Sequence, residues 1–236
     1  MRIDRYLEST YLKLPKEACL TPEENRLKVI DLVTEAINNN FLAVMIRSNH
    51  LTLAKKIIDH SKKNVILGTV INFPKGNDPI KNVVKDALEA ISMGADELDY
   101  VADYRSYKDK NFDKFDIVII EGTRIGYEKN IPVKWIIETP ALSDNQIAGI
   151  SSRISYLVNK YFQPFVRNVY IKTCTGYYGG FGAKEYHVKL IKSSISGLEI
   201  KASGGIENIE QCKCLIDAGA SRIGTSKAFQ ILNENQ

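Results

Sequence analysis

The chain contains 236 residues, of which 44% are hydrophobic and 25% are charged, a composition typical of a folded protein with a sizeable core. Its 32 basic and 28 acidic residues give a net charge of +4, and no long basic run concentrates it. That pattern excludes an extended nucleic-acid or membrane-binding surface. Four cysteines are too few for a disulfide scaffold, and we expect neither a secretory signal nor a membrane-spanning segment.

Short apolar runs of strand length alternate along the chain with segments of helical spacing. The predicted strands are 5–10, 41–46, 64–71, 97–102, 133–138, 168–173, 198–202 and 221–225, of which the first has the weakest pattern. The predicted helices are roughly 22–39, 51–61, 79–93, 112–129, 144–160, 184–196, 207–218 and 226–233. The first helix has a clear start, because Thr21 can cap it, Pro22 suits its first position and Glu24 completes a capping box.

The alternation of strand and helix predicts parallel strands joined by crossover helices, and eight strands close a (β/α)8 TIM barrel. We therefore predict an α/β fold with a closed, parallel, eight-stranded sheet, in a single domain over residues 1–236. An open doubly wound sheet is the alternative if the weak first strand is absent. In a barrel, the active site lies at the carboxyl ends of the strands.

Two lysines stand in matching contexts at the ends of the sixth and seventh predicted strands: Lys172 in IKTCTG and Lys201 in IKASGG. If both side chains point into the barrel, each disfavours the charged form of the other, and one becomes available as the free amine that a Schiff base needs. Asp99, on the fourth strand, can move protons and balance charge. The alternative is that the lysines only form buried ion pairs, and the spacing does not say which one is the nucleophile.

Other polar side chains fall at the remaining strand ends. The candidates that could support a site are Glu8, Thr10, Asn72 and Lys134. Asn72 belongs to a turn, NFPKGND, whose residues either line the mouth of the barrel or lie in solvent.

Two glycine-rich stretches, SGGIEN and RIGTSK, follow the seventh and eighth strands. In barrels these loops often bind phosphate through backbone N–H groups, which requires close approach of the backbone. Gly204, Gly205 and Gly224 are therefore candidate phosphate-loop positions, with tight turns as the alternative. His50 and His187 are isolated, and no metal-ligand spacing emerges, so no metal site is predicted.

The motifs VINFPKGND, GADELDYV, VKWIIET, YIKTCTG, IKASGGI and ASRIGTS occur in this order between about Arg5 and Lys227. In that order they resemble the deoxyribose-phosphate aldolase family. The resemblance implies a class I aldolase on a (β/α)8 barrel that reversibly cleaves 2-deoxy-D-ribose 5-phosphate into acetaldehyde and D-glyceraldehyde 3-phosphate. It also implies a cytoplasmic enzyme of deoxyribonucleoside catabolism that needs no cofactor; dimers are common in the family, so a homodimer is one option.

Position by position, the resemblance makes Lys172 the Schiff-base lysine, Lys201 the residue that lowers its pKa and relays protons, and Asp99 the proton-relay aspartate. Thr175 matches a hydroxyl close to the nucleophile. The positions that match the phosphate loops are Gly176, Gly204, Gly205, Gly224 and Ser226.

The chain departs from the family pattern at several positions. Glu8 replaces an aspartate in the first strand, and Met45 replaces a cysteine that is often found in the second. Glu207 stands where the family usually has arginine, which puts an acid beside the expected phosphate. Lys227 replaces a second serine, and we hypothesise that it restores the positive charge that Glu207 removes.

Two alternatives follow from these departures. The altered phosphate loop could change the acceptor that an aldolase of this type prefers. A catalytically reduced barrel that binds a phosphorylated ligand or a protein partner is the second alternative, and the presence of Asp99, Lys172 and Lys201 argues against it.

Overall fold

The computed structural model of the chain describes residues 2–234. Eight parallel strands form a closed barrel in which each strand pairs with the next and β1 pairs with β8. The strands are β1 Leu7–Tyr11, β2 Ala43–Ile46, β3 Ile66–Ile71, β4 Glu97–Val101, β5 Val133–Ile136, β6 Val169–Lys172, β7 Glu199–Ser203 and β8 Arg222–Thr225. The predicted (β/α)8 barrel is confirmed.

Helices surround the barrel and connect its strands. They are α1 Pro15–Ala18, α2 Pro22–Asn39, α3 Leu51–Ser61, α4 Ile80–Ser92, α5 Tyr104–Lys108, α6 Phe112–Lys129, α7 Asp144–Tyr161, α8 Glu185–Ser194, α9 Ile209–Asp217 and α10 Ala228–Asn233. The sequence pattern missed α1 and α5 because helices of four and five residues are too short to show a helical period. None of the helices in residues 2–234 has the length and apolar character needed to cross a membrane.

The weak first strand closes the barrel. Glu8 is in register with Ala43 of β2 on one side and with Gly224 of β8 on the other. The alternative of an open doubly wound sheet is therefore wrong. The sequence pattern of β1 was weak because this strand carries the polar residues Glu8, Ser9 and Thr10, which the barrel buries wholly or in part.

Strand residues alternate between the barrel interior and the surrounding helices. Tyr100 and Trp135 face outward and stack on each other with ring centroids 4.9 Å apart. Gly122 of α6 leaves room for them, since a Cβ atom there would lie 2.6 Å from the indole ring. Trp135 is fully buried, and its Nε1 donates a hydrogen bond of 3.1 Å to Thr123 Oγ1.

The inward-facing residues divide the barrel interior into two parts. Met45 and Val70, on β2 and β3, form an apolar part together with Leu12 and Phe73. The inward positions of the other six strands are mostly charged or polar. The chemistry of the molecule is therefore concentrated on one side of the barrel interior.

The predicted start of α2 is confirmed in detail. Thr21 Oγ1 accepts a hydrogen bond of 3.2 Å from the N–H of Glu24, whose carboxylate accepts one of 2.8 Å from the N–H of Thr21. Pro22 occupies the first turn, where its missing N–H costs no hydrogen bond.

We expect the substitution Thr21→Ala to lower the melting temperature by roughly 2–4 °C, because α2 loses its N-cap hydrogen bond. Thermal unfolding followed by circular dichroism measures the effect. Thr52→Ala is the matched control, since Thr52 lies exposed within α3 and can lose its side chain without loss of a cap. Equal melting temperatures for Thr21→Ala and the unsubstituted chain would contradict the prediction.

Candidate active site

A cavity of about 480 Å³ opens at the carboxyl end of the barrel. The predicted site residues that line it are Thr10, Lys172, Thr175, Gly176, Gly204, Gly205, Gly224, Ser226 and Lys227. These residues come from β1, β6, β7 and β8 and from the loops that follow them. The cavity therefore lies where the barrel fold was expected to place an active site.

Lys172 and Lys201 are direct neighbours in the register of β6 and β7. Their Nζ atoms lie 2.8 Å and 2.7 Å from the same oxygen, Asp99 Oδ2. Lys172 lines the cavity, whereas Lys201 and Asp99 are fully buried beneath it. Of the two lysines, only Lys172 can meet a molecule in the cavity directly.

Below this pair, a network of charged side chains continues toward the amino ends of the strands. Lys134 Nζ lies 2.5 Å from Glu97 and 3.0 Å from Asp99, and Arg222 lies 2.9 Å from Glu97. Glu8 accepts a hydrogen bond from Lys201 and lies 3.3 Å from Arg222. The members of this barrel network are Glu8, Glu97, Asp99, Lys134, Lys172, Lys201 and Arg222.

Lys134 supports the site from below. The sequence placed it at the mouth, but it is the second residue of β5 and its ammonium group is fully buried within the barrel. Burial alone would lower its pKa, but the carboxylates of Asp99 and Glu8 outweigh burial and raise it. Lys134 is therefore a permanent cation that holds Asp99 ionised.

Burial is the largest cause of the lowered pKa of Lys172, which falls to about 8. Asp99 opposes this shift, and the positive charge of Lys201 acts in the same direction as burial. The sequence predicted repulsion between the two lysines as the cause, and that repulsion ranks below burial. Lys172 is therefore roughly one-tenth free amine at pH 7 and about half free amine at pH 8.

Asp99 and Glu8 stay ionised because the lysines around them outweigh the effect of burial. Burial would raise the pKa of Asp99, but Lys134, Lys172 and Lys201 hold it well below its usual range. Burial likewise opposes ionisation of Glu8, and Lys134 and Lys201 lower its pKa. Asp99 can therefore accept a proton only transiently and return it.

A buried carboxylate outside the barrel network, Glu138, orients the loop after β6. Glu138 Oε2 accepts a hydrogen bond of 2.6 Å from Thr175 Oγ1, and Oε1 accepts one of 3.1 Å from the N–H of Thr175. Burial raises the pKa of Glu138, while the hydrogen bonds from Thr175 and the charge of Lys172 oppose the shift. The sequence placed Glu138 on β5, whereas it follows the strand with a left-handed φ of 59°.

The glycines of the cavity serve two different purposes. Gly176, Gly204 and Gly205 have φ values of 79°, 93° and 66°, which residues other than glycine rarely adopt. Gly224 has ordinary strand geometry, but a Cβ atom there would lie 2.9 Å from Lys201 Cε. Gly224 is needed to make room for Lys201 as well as to line the cavity.

Four charged side chains stand at the rim of the cavity. Lys13 and Lys227 are exposed there, and so are Glu17 and Glu207. Tyr177 also lines the cavity, with its hydroxyl 3.4 Å from Glu17 Oε2. Glu207 and Lys227 thus line the same cavity, which is a necessary condition for the hypothesis that Lys227 restores the positive charge that Glu207 removes.

Asn72 does not reach the cavity. Its Nδ2 donates a hydrogen bond of 3.2 Å to Val101 O, and its Oδ1 accepts one of 2.9 Å from the N–H of Asp78. Asn72 therefore holds its own turn in place, and the exposed Lys75 beside it does not line the cavity either. Thr10 lines the cavity and donates a hydrogen bond of 3.1 Å to the backbone oxygen of Glu8.

Comparison with known proteins identifies the family. No protein-family model matches the chain. The chain is 34% identical over 233 residues to the deoxyribose-phosphate aldolase of Thermococcus gammatolerans, an alignment that covers 98% of this chain and 96% of that protein. The chain belongs to the deoxyribose-phosphate aldolase family. The family resemblance that the motifs indicated is confirmed.

Other members of the aldolase family agree. The deoxyribose-phosphate aldolase of Staphylococcus haemolyticus is 35% identical over 223 residues, with 94% of this chain and 95% of that protein covered. A solved structure described as QR15, an aldolase, superposes with a TM-score of 0.83 at 30% identity over 99% of this chain and 95% of that one. The assignment to an aldolase, a lyase, therefore extends over nearly the whole chain.

Sequence reasoning missed several residues of this aldolase site. Glu97 and Arg222 precede Asp99 and Gly224 by two positions, so the period of a strand could have placed them on the same inward faces. Lys13 and Glu17 were missed because Lys13 lies just before α1 and Glu17 lies within it, and this helix is too short to predict.

We expect chemical labelling of Lys172 by an amine-reactive anhydride to increase with pH through a midpoint near 8, because only the neutral amine reacts. Lys201→Met should move the midpoint upward, since it removes a positive charge and leaves Asp99 to attract Lys172 more strongly. Peptide mass spectrometry at a series of pH values measures both.

Lys213→Met, which removes a partly exposed lysine from α9, is the control and should leave the midpoint unchanged. A midpoint near the ordinary lysine value of 10.5 in the unsubstituted chain would refute this assignment.

Proposed function

We propose that this chain reversibly cleaves 2-deoxy-D-ribose 5-phosphate into acetaldehyde and D-glyceraldehyde 3-phosphate through a Schiff base on Lys172. The observation that carries the proposal is the position of Lys172, whose amine lines the cavity while its Nζ shares Asp99 Oδ2 with Lys201. A free amine beside an ionised carboxylate and a fixed cation is the set of groups that imine chemistry requires.

The reaction begins when the neutral amine of Lys172 adds to the aldehyde carbon of the open-chain sugar. Loss of water leaves a protonated imine, which withdraws electrons from the bond between the second and third carbons. Asp99, with Lys201 and a water molecule, takes the proton of the hydroxyl on the third carbon as that bond breaks. D-glyceraldehyde 3-phosphate leaves, and the bonding electrons remain on an enamine attached to Lys172.

The cycle closes by return of the proton. Protonation of the enamine carbon gives the imine of acetaldehyde, and addition of water releases acetaldehyde and the free amine of Lys172. The imine itself accepts the electrons, so the scheme uses neither a metal nor an organic cofactor. The low pKa of Asp99 keeps it ionised at rest and makes its protonated form a strong acid, which favours rapid return of the proton it accepts.

The phosphate group would bind across the ends of β7 and β8. Within residues 2–234, the amide N–H groups of Gly204, Gly205 and Ser226 donate no hydrogen bond to another protein group, so they are available to an oxyanion. The rim side chains Lys227 and Glu207 lie at the same end of the cavity with opposite charges. We therefore assign most of the phosphate binding to backbone amides and a compensating charge to Lys227.

Two other readings carry less support. A catalytically reduced barrel that only binds a ligand does not explain the complete set of Asp99, Lys172 and Lys201 or relatives named as aldolases. An aldolase with an altered acceptor preference remains compatible with Glu207. A homodimer, a cytoplasmic location, a single domain over 1–236 and a role in deoxyribonucleoside catabolism complete the proposal.

We expect incubation with acetaldehyde and borohydride to leave an ethyl group on Lys172, because borohydride reduces the imine to a stable amine. Peptide mass spectrometry locates the adduct, and the Lys172→Met variant should carry none. A folded sample without an adduct, or an adduct on Lys201 that persists in Lys172→Met, would rule out the proposed nucleophile.

We expect Lys227→Ala to raise the KM for 2-deoxy-D-ribose 5-phosphate by about tenfold, because one ionic contact with the phosphate is lost. The KM for unphosphorylated 2-deoxy-D-ribose should hardly change. Steady-state kinetics with both substrates gives the comparison, and Lys213→Ala is the control for removal of a partly exposed lysine outside the cavity. An equal effect on both substrates would show that Lys227 does not compensate for Glu207.

A further inference from the structure

Glu138 is a buried carboxylate that the proposed mechanism does not use. Only 1% of its surface is exposed, and its backbone has a φ of 59° and a ψ of 63°, a left-handed conformation that strains residues other than glycine. Strained backbone persists where surrounding contacts enforce it, and such sites are often functional. The contacts around Glu138 are therefore worth following.

The backbone on both sides of Glu138 is hydrogen-bonded to the end of β6, the strand that carries Lys172, and to the residue that follows it. The N–H of Ile137 donates to Lys172 O at 3.0 Å, and the N–H of Thr139 donates to Thr173 O at 2.9 Å. Glu138 does not line the main cavity but faces a smaller one of about 190 Å³ beside Cys174. Any effect on a substrate in the main cavity must pass through a neighbour.

That neighbour is Thr175, which lines the main cavity together with Lys172. The hydroxyl of Thr175 donates to Glu138 Oε2 at 2.6 Å and accepts from the N–H of Tyr177 at 2.9 Å. An ionised carboxylate can only accept a hydrogen bond and a backbone N–H can only donate one, so the direction of both bonds follows when Glu138 is ionised. The hydroxyl has one proton and two lone pairs, and one lone pair remains for the cavity.

We infer that Glu138 is a positioning residue that fixes the hydroxyl of Thr175 as a hydrogen-bond acceptor toward the substrate. The site would then favour an acceptor aldehyde that carries a hydroxyl donor, because a group that can only accept leaves Thr175 unpaired. D-glyceraldehyde 3-phosphate has a single hydroxyl group, on the carbon next to its aldehyde, and that group supplies the donor. This inference rests on the proposed aldolase function and adds the determinant of its acceptor preference.

The test compares two acceptors in the addition of acetaldehyde near pH 8: D-glyceraldehyde 3-phosphate and its 2-O-methyl ether, whose ether oxygen can accept a hydrogen bond but cannot donate one. The measured quantity is the ratio of their kcat/KM values, in which a general loss of activity cancels. In Glu138→Gln, the side-chain amide has one oxygen that accepts and one NH2 group that donates. If its oxygen keeps the hydrogen bond from the N–H of Thr175, its NH2 group donates to Thr175 Oγ1. The proton of Thr175 then turns to the cavity, and the ratio should fall about tenfold.

Three further variants sharpen the result. Thr175→Val should lower the ratio by a similar factor, and adding Glu138→Gln to it should cause no further loss, since Glu138 acts only through the hydroxyl. Glu138→Ala frees the proton of Thr175 by a different route and should also lower the ratio. Glu128→Gln, the same chemical change at an exposed residue of α6 that lines neither cavity, is the control and should keep the ratio of the unsubstituted chain.

The outcomes separate this inference from the proposed function. If the Glu138 variants reduce kcat/KM equally for both acceptors, Glu138 is merely structural and the inference is overturned. A further loss on adding Glu138→Gln to Thr175→Val would also overturn it. Acetaldehyde itself has no hydroxyl group, so failure to trap it on Lys172 would count against the proposed function and not against the role of Glu138.

Discussion

Asp99 lies among three lysines inside a closed barrel, and the balance of charge around this carboxylate governs the site. Removing ionised groups from water is costly unless they are paired, so the barrel network has to balance itself. It contains three carboxylates and four cations, which leaves one positive charge in excess when all are ionised. Loss of a proton from Lys172 removes that excess.

The lysine that loses the proton is determined by position. Lys134 lies deepest and is surrounded by carboxylates, which raise its pKa, whereas Lys172 lies at the cavity with Asp99 as its close ionic partner. The neutral amine that a Schiff base requires is thus the electrically balanced state of the barrel interior. Gly224 contributes by its lack of a side chain, because a Cβ atom there would displace Lys201 from Asp99.

Much of this arrangement follows from sequence pattern. The strand bounds were predicted to within two residues because apolar runs and helix caps mark them, and matching contexts revealed Lys172 and Lys201. Sequence could not rank burial above repulsion as the cause of the low pKa, because the degree of burial depends on closure of the whole barrel. The left-handed backbone of Glu138 was equally hidden, since no residue type at that position signals it.

The barrel network has members on six of the eight strands, which are β1, β4, β5, β6, β7 and β8. Its ion pairs therefore also hold the barrel together. A change in one of them disturbs both chemistry and folding, and such changes are hard to tolerate. The rim side chains such as Glu207 and Lys227 have no such ties and lie exposed on loops. Substitution of single rim residues can therefore alter acceptor preference, while the groups proposed to carry the imine chemistry must be inherited together.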